Sequence, residues 1–318
     1  MHIPRKHEME NFGKPLHRYM NRRLLLKSLT LSALAPSVSA KSPSPSFVRL
    51  AHITDVHILP FFTAMKGFER CLHHIQSLDI KPSLIINGGD SVMEAHLNNA
   101  NAAERQWKAW HRVLASENQL PMLHTIGNHD IWCPDNSPQS FETGKKMAAD
   151  QLQMSQNYYS TSLGAWKIIV LDSVQCGGKE RWYTARLDDA QMDWLKKELK
   201  NTPANQFVAI VSHVPILAAC VFFDGKRLDN GTWQVPGAWM HADSREITEL
   251  FHQYPNVKLA LSGHIHLRDL VEYNGVTYCC NGAVSGAWWA GKYQHTAPGY
   301  ATIDLFDDGT FSNQYAQY

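Results

Sequence analysis

Five short stretches of the chain carry histidine, aspartate and asparagine at spacings that suit metal binding or proton transfer. In chain order they are Asp55-Val56-His57, Gly89-Asp90, Gly127-Asn128-His129-Asp130, His213 and Gly263-His264-Ile265-His266. Carboxylate oxygens, amide oxygens and imidazole nitrogens all bind metal ions, and imidazoles and carboxylates also transfer protons. Such groups have little use in a packed core, because each needs a hydrogen-bond partner when it is buried. The stretches therefore predict site chemistry.

Each stretch follows an apolar run that is typical of a buried β-strand. The runs cover residues 47–53, 83–86, 121–126, 207–211 and 257–261. Open α/β sheets place their ligands at the carboxyl ends of such strands. Residues two apart on an extended segment point to the same side, so Asp55 and His57 form an expected ligand pair. The same spacing pairs His264 with His266. Taken singly, the stretches also fit polar turns or, for Asp90, a helix cap.

Amphipathic helices are predicted between these strands. Apolar positions predict helices over residues 68–78, 100–114 and 187–199, and further strands over residues 158–162, 166–172, 300–305 and 309–311. The chain of 318 residues is 44% hydrophobic and 19% charged, which is enough to bury one large core or two small ones. A single α/β catalytic domain over residues 47–318 is expected.

The first 40 residues differ in composition from the rest of the chain. Arg22 and Arg23 precede an apolar and small-residue run over residues 28–34, and Val38-Ser39-Ala40 offers small residues for cleavage. This pattern resembles a twin-arginine export signal over residues 1–40, followed by a linker over residues 41–46. It predicts use of the twin-arginine export machinery, a periplasmic or secreted location and no stable membrane anchor after signal removal. The alternative is a basic amphipathic N-terminal helix of a cytosolic protein.

The charge balance beyond residue 40 argues against binding to long nucleic acid. Of the 30 basic and 29 acidic residues, seven basic and two acidic residues lie within the first 40, so the remainder has 23 basic and 27 acidic residues. Nonspecific nucleic-acid binding works through clustered positive charge. The six cysteines form no Cys-x-x-Cys pair, so a zinc knuckle is not expected. A strand carrying the adjacent Cys279 and Cys280 would point them to opposite faces.

The ordered series of five motifs resembles the calcineurin-like metallophosphoesterases from about residue 47 to residue 303. The resemblance implies a four-layer α/β/β/α sandwich and a dinuclear metal site. Carried over residue by residue, it assigns Asp55, His57, Asp90 and His266 to one ion, and Asp90, Asn128, His213 and His264 to the other. It also places His129 beside the leaving group, with Asp130 orienting the ring of His129. Two ions of iron, manganese or zinc are implied, because all three accept such ligands.

The same resemblance implies a hydrolase that acts on small phosphoesters. A metal-bridging hydroxide would attack in line at a phosphodiester or a phosphomonoester. A glycine-rich stretch over residues 281–289 ends in Trp288 and Trp289, which are predicted to bind substrate together with Asn128. The alternative for both tryptophans is that they cover the edge of the core.

Departures from the motifs of particular subfamilies narrow the prediction. Met93 stands where purple acid phosphatases place a ligating tyrosine, and the arginine that follows Gly-Asp in protein serine/threonine phosphatases is missing. The nearest likeness is to the small bacterial phosphodiesterase-like branch, whose usual acidic residue after Gly-Asp is replaced here by Met93-Glu94-Ala95. A noncatalytic metal-dependent binding protein is the alternative function. Such a protein would be expected to lose a ligand or His129, and this chain retains them all.

Overall fold

The computed structural model describes residues 46–96, 99–178 and 181–318. The predicted export signal, and all of the predicted linker except Ser46, lie outside these residues. Within the described ranges, no helix has both the length and the apolar character that a membrane crossing requires.

Helices and strands alternate over the first part of the described chain, and strands predominate after residue 158. The helices are α1 (Phe62–Gln76), α2 (Ala100–Glu117), α3 (Pro138–Gln151), α4 (Asp189–Asn201) and α5 (Ser244–His252). The strands are β1 (Phe47–Ile53), β2 (Leu84–Asn87), β3 (Met122–His124), β4 (Tyr159–Leu163), β5 (Trp166–Val170), β6 (Val174–Cys176), β7 (Tyr183–Ala185), β8 (Phe207–Val211), β9 (Leu228–Asp229), β10 (Thr232–Trp233), β11 (Val257–Ser262), β12 (Arg268–Tyr273), β13 (Val276–Asn281), β14 (Tyr300–Phe306) and β15 (Phe311–Ala316). Short 3₁₀ turns cover Asn128–Asp130 and Cys220–Phe222. The three predicted helices correspond to α1, α2 and α4, whereas α3 and α5 are additional.

Two mixed sheets form the centre of the fold. One has the strand order β15-β14-β1-β2-β3, and the other has the order β12-β13-β11-β8-β5-β4. The strands β1, β2 and β3 run parallel to one another, as do β5, β8, β11 and β13. Antiparallel pairing joins β14 to β1 and adds β4, β12 and β15 at the edges. Each of the five predicted motifs therefore follows the carboxyl end of a parallel strand.

Alternating side chains on the strands build the layers. Ile168 of β5 packs into the apolar cluster between the sheets, whereas the neighbouring Ile169 packs with residues of α4 and α5. In the other sheet, Leu50 of β1 joins the cluster between the sheets, and Ala51 packs with residues of α1 and α2. Each sheet is thus covered by helices on its outer face. The predicted four-layer α/β/β/α sandwich is confirmed.

The six cysteines are free thiols. Cys279 of β13 belongs to the cluster between the sheets, whereas Cys280 belongs to a separate cluster that includes Cys220. The predicted opposite orientation of the two adjacent cysteines is therefore confirmed. Burial raises the pKa of the Cys279 thiol to about 12, so this side chain contributes packing rather than reactivity.

A buried ion pair connects α3 to the segment that follows β5. Lys145 of α3 is fully buried, and its Nζ donates to Asp172 Oδ2 at 2.9 Å and to the Val174 carbonyl at 2.5 Å. Gln191 of α4 holds the same segment, because its Nε2 donates to the Asp172 carbonyl at 2.9 Å. The ion pair and the Gln191 hydrogen bond together therefore link two helices to one loop.

Replacing Lys145 by methionine is expected to lower the free energy of unfolding by about 3–5 kcal/mol, because the Asp172 carboxylate would remain buried without its partner. Urea unfolding followed by circular dichroism measures the loss. Lys146→Met on the same helix is the matched control, since the Lys146 side chain is 77% exposed and its pair with Asp150 is solvated. Equal unfolding midpoints for the two variants would contradict the assigned role of Lys145.

Candidate metal centre

A first cluster of predicted ligands lies at the carboxyl ends of β1 and β11. Asp55, His57 and His266 each present a ligand atom within 4.8 Å of the other two. His57 Nε2 lies 3.0 Å from His266 Nε2, and Asp55 Oδ1 lies 3.3 Å from the same His266 nitrogen. All three side chains are buried. Their ligand atoms face one common space.

A second cluster lies at the ends of β2, β8 and β11. Asp90, His213 and His264 again present ligand atoms within 4.8 Å of one another. Asp90 Oδ2 is 3.2 Å from His213 Nε2, and Asn128 Oδ1 is 3.1 Å from the same nitrogen. Asn128 belongs to the 3₁₀ turn that follows β3 and is buried. The structure thus brings the seven predicted ligands together in two adjoining clusters.

Asp90 belongs to the second cluster and also reaches the first. Its Oδ2 lies 3.7 Å from His57 Nε2, besides its contact with His213. Its Oδ1 accepts a hydrogen bond from the His129 backbone N–H at 2.8 Å. Gly127 permits this approach, because a Cβ at that position would lie 2.1 Å from Asp90 Oδ1. The carboxylate is therefore positioned between the two clusters.

The backbone after the strand ends adopts left-handed conformations, which direct these side chains into the two clusters. Positive φ angles occur at Asp55 (54°), His57 (47°), Asp90 (53°), His264 (70°) and His266 (59°). Such conformations cost roughly 1–3 kcal/mol each and persist where surrounding contacts fix the backbone. The His57 N–H, for example, donates to the Asp90 carbonyl at 2.9 Å. The expected extended geometry is therefore wrong here. His264 and His266 lie in different clusters, in agreement with the assignment that the family resemblance implies.

The donor set fits metal ions. Asp55 Oδ1 is buried and accepts no hydrogen bond from the described residues, although it faces the Nε2 atoms of His57 and His266. The other oxygen, Asp55 Oδ2, is occupied by hydrogen bonds from Thr54 Oγ1 at 2.6 Å and the His264 N–H at 2.9 Å. Facing lone pairs of this kind are stabilised by a cation that all the groups can share. Aspartate, histidine and asparagine donors suit iron, manganese or zinc.

Backbone carbonyls fix the rings of two histidines. His213 Nδ1 donates to the Gly88 carbonyl at 2.8 Å, and His266 Nδ1 donates to the Gly286 carbonyl at 2.6 Å. A neutral ring that keeps its proton on Nδ1 directs the Nε2 lone pair into the cluster. These carbonyls therefore select the ring orientation that metal binding requires.

Burial and neighbouring charges set the protonation states. Burial lowers the pKa of His57 well below its usual value and that of His264 to about 3, so both rings are neutral at pH 7. Burial would raise the pKa of Asp90, but the His213 and His129 rings hold it well below its usual value. For His213, burial would lower the pKa, but the Asp90 charge raises it to about 9. Metal binding at His213 is therefore expected to release a proton.

His129 lies beside both clusters and is partly open to solvent. Its side chain is 25% exposed, and its ring centroid lies 4.7 Å from that of the buried His57. Its Nδ1 lies 3.2 Å from Glu94 Oε2. Glu94 therefore lies at ion-pair distance from the ring, and His57 of the first cluster lies close to it.

Asp130 has a different role from the predicted one. Its Oδ1 accepts hydrogen bonds from the N–H groups of Ser91 at 2.8 Å and Val92 at 3.1 Å, and its Oδ2 accepts from the Gly127 N–H at 2.9 Å. The carboxylate thus joins the backbone after Asp90 to the turn that carries Asn128. The prediction that Asp130 orients the His129 ring is wrong, because its carboxylate is committed to these backbone groups.

The two predicted tryptophans take different places. Trp289 Nε1 donates to the His57 carbonyl at 2.9 Å, and its ring packs over Gly67 of α1 at the edge of the core. The predicted substrate contact of Trp289 is therefore corrected to a packing role. Trp288, in contrast, is exposed, and its ring centroid lies 4.4 Å from that of His266.

A family match covers the whole candidate metal centre. The family model of the calcineurin-like phosphoesterases matches residues 48–268, which include all five motifs. The chain belongs to this family. It is a metal-dependent phosphoric ester hydrolase, and its clustered histidines and aspartates are the candidate metal ligands.

Relatives of this calcineurin-like phosphoesterase carry the names of phosphodiesterases. A 3',5'-cyclic-nucleotide phosphodiesterase of Nostoc sp. is 24% identical over 279 residues, which cover 84% of this chain and 91% of the relative. The 3',5'-cyclic adenosine monophosphate phosphodiesterase CpdA of Escherichia coli is 26% identical over 278 residues, covering 84% of this chain and 88% of the relative. The crystal structure of a dimetal phosphatase from Danio rerio matches with a TM-score of 0.62 at 13% identity, covering 86% of this chain and 96% of that one. That structural likeness shows the fold alone.

Glu94 is a residue of this phosphoesterase whose place in the site the sequence did not reveal. Gln106 of α2 fixes its backbone, since the Gln106 side chain accepts from the Glu94 N–H at 3.0 Å and donates to the Glu94 carbonyl at 2.9 Å. Glu94 Oε1 accepts from the His96 N–H at 2.9 Å, which leaves Oε2 toward His129. The side chain is thus held beside the His129 ring.

Glu94→Gln is expected to lower kcat by about 10-fold, because an amide positions the His129 ring less firmly and does not favour its charged form. Burial lowers the pKa of His129, but Asp90 and Glu94 together raise it. Loss of the Glu94 charge therefore lowers that pKa, and the alkaline limb of the pH–rate profile should move to lower pH. Glu104→Gln, an exposed change on α2, is the matched control. An unmoved alkaline limb in Glu94→Gln would rule out the positioning role.

Proposed function

We propose that this phosphoesterase hydrolyses small phosphodiesters, cyclic nucleotides foremost, with two metal ions at the centre described above. The observation that carries the proposal is the place of Asp90, whose Oδ2 lies 3.7 Å from His57 Nε2 and 3.2 Å from His213 Nε2. A carboxylate between two ligand sets is suited to bridging a pair of ions. The named cyclic-nucleotide phosphodiesterases support the substrate class, since each aligns with 84% of the chain.

Each cluster would hold one ion, with Asp90 shared. The first ion would be held by Asp55, His57, Asp90 and His266, and the second by Asp90, Asn128, His213 and His264. When bound, two such cations lower the pKa of a water molecule and neutralise phosphoryl oxygens during in-line displacement. The chain supplies charge through its aspartates and directional nitrogens through its histidines, which bind only when neutral.

His129 would act on the leaving oxygen. Its Nδ1 faces Glu94, so Nε2 is the ring nitrogen that remains to donate a proton to the departing alkoxide. Burial lowers the pKa of His129, but the Asp90 charge and the Glu94 contact raise it to about 9. Without metal the ring therefore carries a proton, and the Glu94 contact would favour the same charged form when the ions are bound. Proton donation of this kind contributes roughly 10² to 10⁴ in rate.

A substrate screen tests the proposal. The purified protein, loaded separately with manganese, iron or zinc, is assayed on 3',5'-cyclic AMP, bis(p-nitrophenyl) phosphate and p-nitrophenyl phosphate. Hydrolysis of the two diesters with a higher kcat/KM than that of the monoester is expected. Activity on the monoester alone would overturn the diesterase assignment, and inactivity on all three esters after metal loading would overturn the proposed function.

We also propose that the protein is exported by the twin-arginine machinery to the periplasm or beyond. Arg22 and Arg23, followed by an apolar run and a small-residue cleavage site, support this route. Replacing both arginines by lysine is expected to leave the full-length chain in the cytoplasmic fraction, as measured by immunoblotting. An unchanged distribution between fractions would contradict the proposal.

A further inference from the structure

The loop that carries Trp288 is tied to the candidate metal ligands. This tryptophan loop (residues 282–289) donates from the Val284 N–H to the Thr54 carbonyl at 2.9 Å and from Ser285 Oγ to the Asp55 carbonyl at 2.7 Å. It also accepts from His266 Nδ1 at the Gly286 carbonyl, and Trp289 Nε1 donates to the His57 carbonyl. These hydrogen bonds fix the loop against both motifs of the first cluster.

Two consecutive tryptophans in this loop have left-handed backbone conformations. The φ angles are 49° at Trp288 and 71° at Trp289. A bulky residue rarely adopts such an angle, and each instance has an energetic cost. Packing against Gly67 and the hydrogen bond to His57 compensate this cost for Trp289. Trp288 is 42% exposed and has much less packing to offset its strain.

The exposed indole of Trp288 lies at the rim of the first cluster. Its ring centroid is 4.4 Å from that of His266 and 6.0 Å from that of His57. Tyr293 supports it from the side, with ring centroids 5.4 Å apart and planes at 82°. The Tyr293 hydroxyl in turn donates to Asp224, which fixes the supporting ring. An aromatic surface thus lies against His266, one of the candidate ligands of the first cluster, and Tyr293 supports it.

We propose that Trp288 is a specificity-determining residue that binds the flat, aromatic part of the substrate, a nucleobase, and so selects nucleotide diesters over alkyl diesters. This inference rests on the proposed hydrolase function. Indole surfaces stack on every base because each base has a π-face, and one such contact contributes about 1–3 kcal/mol. The rigid loop lowers the ordering cost of that contact.

Two diesters with the same leaving group test the proposal. Thymidine 5′-(p-nitrophenyl phosphate) carries a base on its non-leaving side, and methyl p-nitrophenyl phosphate carries only a methyl group. In the wild type the nucleotide ester should have the higher kcat/KM. Trp288→Leu, which retains apolar volume without an aromatic face, is expected to lower the ratio of the two kcat/KM values by about 5- to 150-fold. The change should fall mainly on KM, since stacking is present before and during the reaction.

Two further variants complete the experiment. Trp288→Phe is expected to restore most of the ratio, because it retains an aromatic face. Trp233→Ala removes another exposed tryptophan, which lies on β10, and is expected to leave the ratio unchanged. An unchanged ratio in Trp288→Leu, or no preference for the nucleotide ester in the wild type, would overturn the assignment.

A binding measurement separates this inference from the proposed function. Calorimetry with thymidine 5′-monophosphate, on manganese-loaded wild type and Trp288→Leu, needs no turnover. Inactivity of the wild type on both diesters, together with weaker nucleotide binding in Trp288→Leu, would overturn the proposed function and still support the stacking role. Equal binding by the two proteins would overturn the stacking role itself.

Discussion

Replacing Asp90 by asparagine is expected to reduce the metal content to one ion or none per chain and to lower kcat/KM by more than about 10³-fold. Asp90 Oδ2 contacts a histidine of each cluster, His57 at 3.7 Å and His213 at 3.2 Å. Asparagine retains the shape of the side chain but has neither the negative charge nor a second oxygen that two ions could share. Several kcal/mol of charge stabilisation would be lost with it. Elemental analysis and steady-state kinetics on the same preparation measure both effects.

Asp189→Asn is the matched control for this change. It makes the same chemical substitution on a fully exposed side chain of α4, and metal content and activity should remain those of the wild type. Retention of two ions and of more than about a tenth of the activity in Asp90→Asn would show that the carboxylate is not shared between ions. Because a bridging ligand serves both ions, its loss should change the metal content and the activity together.

His129→Ala is expected to keep its metal ions but to lose roughly 10² to 10⁴ in kcat on a substrate with an alkoxide leaving group. The His129 side chain is 25% exposed and contacts Glu94, whereas the side chains of Asp55, His57 and Asp90 are buried within the clusters. A p-nitrophenolate leaving group needs no proton, so the loss with a p-nitrophenyl ester should be much smaller. The comparison of cyclic AMP with bis(p-nitrophenyl) phosphate therefore measures proton donation directly.

His252→Ala, an exposed change at the end of α5, is the control for histidine removal. Equal losses with both leaving groups would argue against proton donation by His129. Loss of metal from His129→Ala would instead indicate that His129 is a metal ligand. Its ligand atom lies within 4.8 Å of those of His57 and Asp90, so this alternative is geometrically possible. The two readouts together distinguish a proton donor from a ligand.

Much of the fold could be predicted because parallel strands are buried on both faces. The run that became β8 is continuously apolar, and those that became β1 and β11 are largely apolar, so all three could be predicted as strands from the sequence. The helix α3 is harder to predict from the sequence, because its buried face includes Gly144 and Lys145 and few large apolar residues. Its start signals, an N-cap at Ser137 followed by Pro138, are the features that could have indicated it.

The candidate ligands could be predicted for a similar reason, because each follows a strand end. The contact of His129 with Glu94 could not be predicted from the sequence. Asp130 is adjacent in sequence, but its carboxylate bonds backbone groups, while Glu94 reaches the ring from the loop after β2. The spacing of His264 and His266 alone placed both side chains on one side, and only the family resemblance assigned them to different ions, because their directions depend on left-handed backbone at both residues. Side-chain direction at strand ends is set by φ and ψ, and residue spacing alone does not determine these angles.

The place of Asp90 between two bound ions is tested most directly by anomalous diffraction from crystals of the manganese-loaded protein. A shared carboxylate predicts two peaks per chain, roughly 3.5–4 Å apart, with Asp90 contacting both. One peak alone, or two peaks of which only one touches Asp90, would contradict it.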